Sequence, residues 1–362
     1  MDSSSPIGNA KRFRIYNKNN MKKLLITGAA GFIGHHVVES VLRETDWDII
    51  IIDKLTYAGN LNRLTDINSW DGKRVKFIHH DLAAEISETT HKMIGEIDYI
   101  WHLAAESHVQ RSLDDSIPFI KSNVLGTANL LEYVKKYQPN LQRFITFSTD
   151  EVYGPAKEGE FFLEGAAHSP SNPYSASKSG EEAISRAFAY SFGMPITITN
   201  TMNVFGERQH PEKFVPMVIQ DILSKKKTTI HGTDRDNVSS RCWIHAREVA
   251  NALLYLNERG EVVSKDHQED TSWGVYNIVG EERSALDIAD MVSEVINNRK
   301  LKDSEIEWVD FHKTRPGHDL RYALSGDKLK KMGFNYSYSL EDSFGKMVRW
   351  MFQPENLRWL NL

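Results

Sequence analysis

Short runs that are apolar at consecutive positions, separated by longer amphipathic stretches, constrain this chain more than any other feature. In order they read KLLIT, a helical pattern over FIGHHVVESVLRE, DIIIID, VKFIHHD, DYIWHLAA, a helical pattern over PFIKSNVLGTANLLEYVKKY, and RFITFST. Strands such as LLIT, IIII and FITF are apolar at neighbouring rather than alternate positions, as expected when helices cover both faces of a parallel sheet. Strands alternating with helices at this spacing call for right-handed crossovers and a doubly wound sheet. A further helix is expected through NPYSASKSGEEAISRAFAYSFG, followed by a strand, PITITNT.

After residue 203 the rhythm weakens. Pro, Gly and charge clusters rise in GERQHPEKF, SKKKTT and GTDRDNVSSR, and short strands such as GVYNIV stand between mixed segments. The expected organisation is a flexible polar extension over residues 1–20 and a first domain over 21–202, to which parts of 238–280 return. A smaller mixed α/β domain is expected from 203–237 and 281–362.

The 362 residues are 40% apolar and 26% charged, ordinary for a globular protein. Lys and Arg number 44 against 49 Asp and Glu, a formal charge of -5, which gives no reason to expect nucleic acid or an anionic membrane as partner. No apolar run approaches the roughly 18 residues that span a bilayer, and the first 20 residues lack the apolar core of a secretory signal. A cytoplasmic location is expected. The single cysteine, Cys242, is read as either a reactive thiol or a small semi-apolar residue. The pairs His35-His36 and His79-His80 lack metal-ligand spacing with other candidates, so no metal is assigned.

Directly after the first strand comes TGAAGFIG, with Gly28, Gly31 and Gly34 at three-residue intervals and Phe32 and Ile33 between the last two. Glycines there permit a tight turn, close approach of backbone amides to a pyrophosphate, and passage of helix against strand, the features of a Rossmann-type dinucleotide site. Asp53 ends the second strand, where an acid accepts hydrogen bonds from adenosine ribose hydroxyls and repels a 2′-phosphate. NAD is therefore expected over NADP. Asp81, Leu82 and Ala104, at the ends of the next two strands, are assigned to the same cofactor.

Tyr174 and Lys178 lie four apart at the start of a helix and so share a face. Lowering a tyrosine from its usual pKa of about 10 to neutrality takes about 4 kcal/mol. A unit positive charge about 4 Å away at an effective dielectric of about 20 supplies roughly that. Lys178 is thus expected to help make Tyr174 a base. The adjacent acids of STDEVYG, Asp150 and Glu151, leave two readings open from the residues alone: a solvated loop start, or an acid–base pair at a strand exit.

The glycine run with Tyr174-x-x-x-Lys178 resembles the extended short-chain dehydrogenase/reductase superfamily. Within it, DKLTYAGNL, HLAAESHVQRS, STDEVYG, NPYSASK, HPEKFVP and RPGHDLRYAL closely resemble the dTDP-glucose 4,6-dehydratases, over nearly all of residues 21–350. The resemblance implies that Tyr174 takes the proton of the sugar 4-hydroxyl, with Thr149 hydrogen-bonding the 4-oxygen. It makes Glu151 the base at C5 and Asp150 the acid at the departing 6-hydroxyl. It also implies substrate contacts from Ser107, His108, Asn203, Glu212, Lys213, Arg241, Asn277, Arg315 and His318, and a homodimer packed through helices near 117–136 and 174–191. The chain departs from the family at Asn203-Val204-Phe205-Gly206, at Arg241-Cys242-Trp243 and in a longer GTDRDNVSSR loop. These lie on the nucleotide side, and so leave thymine against uracil open, with UDP-glucose the alternative substrate. A nucleotide-sugar 4-epimerase or decarboxylase would share Tyr174, Lys178 and NAD without needing the acid pair; a catalytically silent cofactor-binding protein is the remaining alternative.

Overall fold

The computed structural model describes residues 21–309 and 321–362. Seven strands form one parallel sheet: β1 (Lys23–Thr27), β2 (Asp48–Asp53), β3 (Val75–His79), β4 (Tyr99–His102), β5 (Arg143–Thr149), β6 (Ile196–Thr201) and a late strand, β10 (Val275–Ile278). Their order across the sheet is β10-β6-β5-β4-β1-β2-β3. Chain direction through the sheet reverses at β1, which pairs β2 on one side and β4 on the other. The expected doubly wound, Rossmann-type fold is the observed one.

The consecutive apolar residues of each strand divide between two cores. Leu24, Ile26, Ile49 and Ile51 pack with Val37 and Val41 of the Phe32–Glu44 helix and Leu253 and Leu256 of the Ala246–Arg259 helix. Leu25, Ile50, Ile52, Phe144 and Ile196 face the other way, onto Leu130, Leu131 and Val134 of the Gly126–Tyr137 helix. Each such side chain contributes about 1.5–3 kcal/mol when fully buried. A polar residue at either parity would cost a core, which is why alternation is absent from these strands.

The remaining strands make two small sheets. β7 (Val204–Phe205), β9 (Ser240–His245) and β11 (Glu281–Ser284) lie in the order β11-β9-β7, and β8 (Thr228–His231) pairs in parallel with β12 (Ile306–Val309). They share a core in which Phe205 stacks on Phe344 at 4.0 Å between ring centroids, surrounded by Ile219, Ile288 and Val348. Thus β10 completes the large sheet while β9 belongs to a small one.

The helix expected over PFIKSNVLGTANLLEYVKKY is not uniform. A short helix, Ile117–Phe119, passes through a π-wound turn, Ile120–Leu125, before Gly126–Tyr137. The turn carries buried Asn123, whose Oδ1 accepts from Glu106 N at 2.8 Å and whose Nδ2 donates to Glu106 O at 3.0 Å and Ser177 Oγ at 2.8 Å. Widened turns of this kind occur at functional sites; here it ties the strand exit of β4 to the Pro173–Phe192 helix. That helix begins at a capping box on Asn172 and stops at Gly193, left-handed at φ 64°. Among the described residues no helix is long and apolar enough to cross a membrane.

Gly28 takes φ +72°, and a Cβ there would lie 2.7 Å from Ala104 Cα and N. Gly28→Ala is expected to lower unfolding stability by at least about 2 kcal/mol, from positive φ and a backbone clash together, as measured by urea denaturation.

Candidate active site

The carboxyl ends of β1, β2, β4 and β5 open into one groove beside the strand-order reversal, the position at which doubly wound sheets take ligands. At its β1 end the chain turns at Gly28, whose amide donates to Ile52 O at 2.9 Å, and enters the Phe32–Glu44 helix through Gly31. Gly31 as N-cap offers no side chain to the helix start. The first-turn amides, including Phe32, Ile33 and Gly34, have no helical carbonyl to bond and form a ready anion site. Asp53 accepts from Ala30 N (3.0 Å) and Leu55 N (2.8 Å), which fixes its carboxylate while about half its lone-pair sites remain open to ribose hydroxyls. Asp81, Leu82 and Ala104 line the same groove. Glycine turn, uncapped helix start and anchored acid together fit a dinucleotide.

The chemistry-bearing residues are next to it. β5 ends at Thr149, and a tight 3-10 turn, Asp150–Tyr153, swings both acids inward. Thr149 Oγ1 donates to Asp150 Oδ1 at 3.0 Å, and Asn172 Nδ2 donates to Glu151 Oε2 at 3.0 Å. The same Asn172 caps the helix that carries Tyr174 and Lys178, so one residue aligns the acid turn with the phenol. Thr149, Asp150, Glu151, Tyr174 and Lys178 all line the groove with Gly28 and Asp53. The solvated-loop reading of the acid pair does not hold: Asp150 is buried and Glu151 half-buried.

Their environments differ. Burial first, and then the Glu151 charge, push Asp150 up to about 7, against the Thr149 hydrogen bond and the charge of Arg241. Tyr174 is raised, by burial first and then by Glu151, although a hydrogen bond with Thr149 opposes this. The expectation for Lys178 concerns a groove that also carries the positive charge of an oxidised nicotinamide. Lys178 Nζ donates to Phe147 O at 2.7 Å and to Glu181 Oε2 at 2.6 Å, so its charge is largely met by a buried carboxylate.

Of the expected substrate residues, Ser107, Asn203, Glu212 and Lys213 line the groove. Glu212 lies within ion-pair distance of Arg111 (3.3 Å), His210 (3.5 Å) and His108 (3.8 Å), which caps the short Val109–Asp114 helix. Arg241 sits at the margin, its guanidinium 5.1 Å from the centroid of the Tyr322 ring and near enough to act on Asp150. Asn277 is not brought to the groove. It is fully buried in β10, where Nδ2 donates to Phe162 O and Ser325 O, both at 3.2 Å, while Oδ1 has no partner among the described residues. Arg315 and His318 lie outside the described residues.

Sequence reasoning missed Asn172, Glu181 and the Arg111 guanidinium lying 3.7 Å from the centroid of the Tyr57 ring. Asn172 was findable, since Asn before Pro at a helix start is a capping signal. Cys242 is buried and pushed up to about 12, chiefly by that burial, which makes it a packed thiol and not a reactive one. Among the described residues no group of three or more His, Cys, Asp or Glu is placed to hold a metal ion.

A doubly wound sheet with this glycine turn, and a Tyr-x-x-x-Lys helix beside it, defines an extended short-chain dehydrogenase/reductase. A family model described as GDP-mannose 4,6 dehydratase matches residues 25–347. The dTDP-glucose 4,6-dehydratase of Salmonella typhimurium is 36% identical over 363 residues, 94% of each chain. The chain belongs to this 4,6-dehydratase family. A trifunctional UDP-glucose 4,6-dehydratase/3,5-epimerase/reductase of Arabidopsis thaliana is 37% identical over 342 residues, 93% of this chain and 48% of that protein. Among solved structures, the dTDP-glucose 4,6-dehydratase of Streptomyces venezuelae, crystallised with NAD, superposes with a TM-score of 0.80 at 30% identity, over 93% of this chain and 98% of that one. The UDP-glucose 4-epimerase of Thermus thermophilus, also with NAD, gives 0.76 at 25% identity over 93% and 98%.

The Asp150 shift carries a stability consequence. An acid at 3.8 when unfolded and about 7 when folded binds its proton more tightly in the fold. The stability it contributes is complete below the unfolded value and is lost as pH rises through the folded one. Asp150→Asn is therefore expected to be more stable than the parent at pH 8, by up to about 4 kcal/mol for a shift of about three units, with the difference closing near pH 4 in paired urea titrations.

Proposed function

We propose that this chain is a nucleoside-diphosphate-glucose 4,6-dehydratase using NAD, with dTDP-glucose converted to dTDP-4-keto-6-deoxyglucose. One arrangement carries the reading: the two acids of unequal environment, the phenol and Thr149 line the same groove as the glycine turn and Asp53. NAD bound there supplies the acceptor and donor for the hydrogen that leaves C4 and arrives at C6. Tyr174 accepts the proton of the 4-hydroxyl, while the Thr149 hydroxyl bonds the 4-oxygen and stabilises negative charge on it. The resulting 4-keto group acidifies C5–H. Glu151, half-buried and oriented by Asn172, removes that proton and gives it back to C5 when hydrogen arrives at C6. Asp150, lifted to about 7, retains a proton near neutrality and delivers it to the 6-hydroxyl, which departs as water. Two adjacent carboxyls titrate as a pair, and their unequal burial is what separates acid from base.

Lys178 orients the cofactor side through the ammonium proton not taken by Glu181 or Phe147. Ser107, His108, Asn203, Glu212, Lys213, Arg241, Arg315 and His318 are proposed to hold the nucleotide sugar. Guanidinium groups suit its diphosphate in a chain of net negative charge. The proposed division of labour gives residues 21–202, with the returning part of 238–280, to NAD, and 203–237 with 281–362 to the nucleotide. UDP-glucose is the second reading, supported by the Arabidopsis relative and by Val204 in the groove lining; Phe205 and Cys242 are packed in hydrophobic cores. Epimerisation at C4 needs no acid at C6 and leaves Asp150 without a task. A cytoplasmic enzyme is proposed on the strength of the single buried thiol.

With dTDP-glucose and UDP-glucose assayed in parallel, the 4-keto-6-deoxy product is expected, and deuterium placed at C4 is expected at C6. Label retained at C4 defeats the reading. Glu151→Gln should stop elimination, by about 100-fold or more, and Asp150→Asn should slow loss of water more than C4 oxidation. Equal losses in both steps for both variants would contradict the separate roles.

The same reading includes a homodimer. Ile117, Ile120, Leu125 and Phe192 are 55%, 45%, 44% and 53% exposed on the helices expected to pair. Light scattering should give twice the chain mass for the parent and the monomer mass for Ile117→Lys combined with Ile120→Lys.

A further inference from the structure

Lys178 and Glu181 form a buried ion pair directly beneath the groove. The lysine is 3% exposed and the glutamate fully buried, with 2.6 Å between Nζ and Oε2. An ammonium has three donors. One goes to Glu181 and one to Phe147 O, the carbonyl two residues before Thr149 on β5. Among the described residues Oε1 of Glu181 has no hydrogen-bond partner, so there the carboxylate is held by the lysine and by packing. A buried pair of this kind is costly to assemble and weak evidence of a stability role. We propose that Glu181 is a positioning residue: it anchors the Lys178 ammonium with one N–H left for the groove, and offsets the lysine charge so as to set the pH at which Tyr174 exchanges its proton.

The groups around the pair bear this out. On the same helix Glu181 is one of the charges acting to raise Tyr174, and Glu182 acts to raise Glu181. Glu181 itself stands at about 7, lifted by burial and held back by Lys178. From β4, His102 faces the lysine, but burial and then that charge hold it down to about 3, and its ring is shared between Thr27 and Thr127 hydroxyls. His102 is therefore neutral and adds no charge. From the turn after β5, Asp150 and Glu151 also act on the phenol and add negative charge to its surroundings. Glu182 is engaged elsewhere, with Asn200 Nδ2 at 2.6 Å and His168 at 3.4 Å. Among the described residues Glu181 is thus the carboxylate that pairs with Lys178, and removing its charge exposes the phenol to an unbalanced ammonium.

The test is Glu181→Gln, which keeps the shape and an acceptor for Nζ but removes the charge. The readout is the 13C shift of ring-labelled tyrosine against pH, with the Tyr174 signal assigned by Tyr174→Phe. The expected midpoint lies at least about one pH unit below that of the parent protein, from one unit charge removed at an effective dielectric of about 20. Glu181→Asp, which retains the charge, is expected to keep the midpoint near the parent's. Glu181→Ser reads the same loss of charge should the glutamine variant not fold. An unchanged or raised midpoint in the charge-free variants overturns the inference. The acid limb of kcat/KM should move down by the same amount as the midpoint; this arm alone rests on the dehydratase reading. The tyrosine titration needs no turnover, so a moved midpoint without product formation would sink that reading and leave the positioning role standing.

Discussion

The pairing of β1 with β2 on one side and β4 on the other leaves an opening at the carboxyl edge of the sheet where no crossover can pass. Everything functional in the molecule depends on that opening. Gly28, Asp53, Ala104 and Thr149 are far apart in sequence, yet each is at or just beyond the end of a strand, and parallel register places strand ends together. The two apolar cores on either face keep that register, because slipping a strand by one residue would exchange its core-facing sets. Burial of Leu24, Leu25 and Ile26 and the placement of Gly28 are thus one physical fact.

Desolvation then differentiates what the sheet gathers. Asp150 and Glu151 are chemically near-equivalent neighbours, but the first points into the protein and bonds Thr149, whereas the second is half-exposed and bonds Asn172. The buried member keeps its proton to about pH 7, and its neighbour's negative charge reinforces this. The same burial raises the Tyr174 phenol, so the protein environment alone does not make it a base. Positive charge delivered into the groove has to do that, which places control of the phenol in the balance around Lys178.

How far this was legible in the sequence follows from what each residue depends on. Strand runs such as IIII and RFITF declare double-sided burial in their own composition, and the four-residue step from Tyr174 to Lys178 declares a shared helix face. The placement of the glycine turn and Asp53 was legible because it follows from their position after a strand. The protonation of Tyr174 was not, because it depends on the depth of burial and on Glu181, one helical turn further along, which reads as an ordinary polar residue in KSGEEA. The π-wound turn was hidden for a similar reason: it depends on Asn123 meeting Glu106 and Ser177, from two other segments. Asn277 was placed by motif, and the bonds of its amide nitrogen to the carbonyls of Phe162 and Ser325 at the sheet edge are partners that no sequence pattern announces.

The groove's two walls are held by interactions of different strength. On the chemical wall, Thr149 donates to Asp150, Asn172 accepts from Ser175 N and Lys178 donates to Glu181, buried hydrogen bonds whose loss would leave polar groups unsatisfied, at about 1–3 kcal/mol each. On the wall proposed for the nucleotide, Glu212 meets Arg111 through an ion pair half-exposed on the arginine side, a class worth at most about 1 kcal/mol, and lies beside the rings of His108 and His210. A fixed wall suits a reaction in which three protein groups must keep their alignment through successive proton transfers. A weakly tethered wall can re-pair its charges around a base and a diphosphate at little cost. Changes of residue on that wall, such as Val204, which lines the groove, can therefore alter what is bound there without disturbing the acids and the phenol opposite.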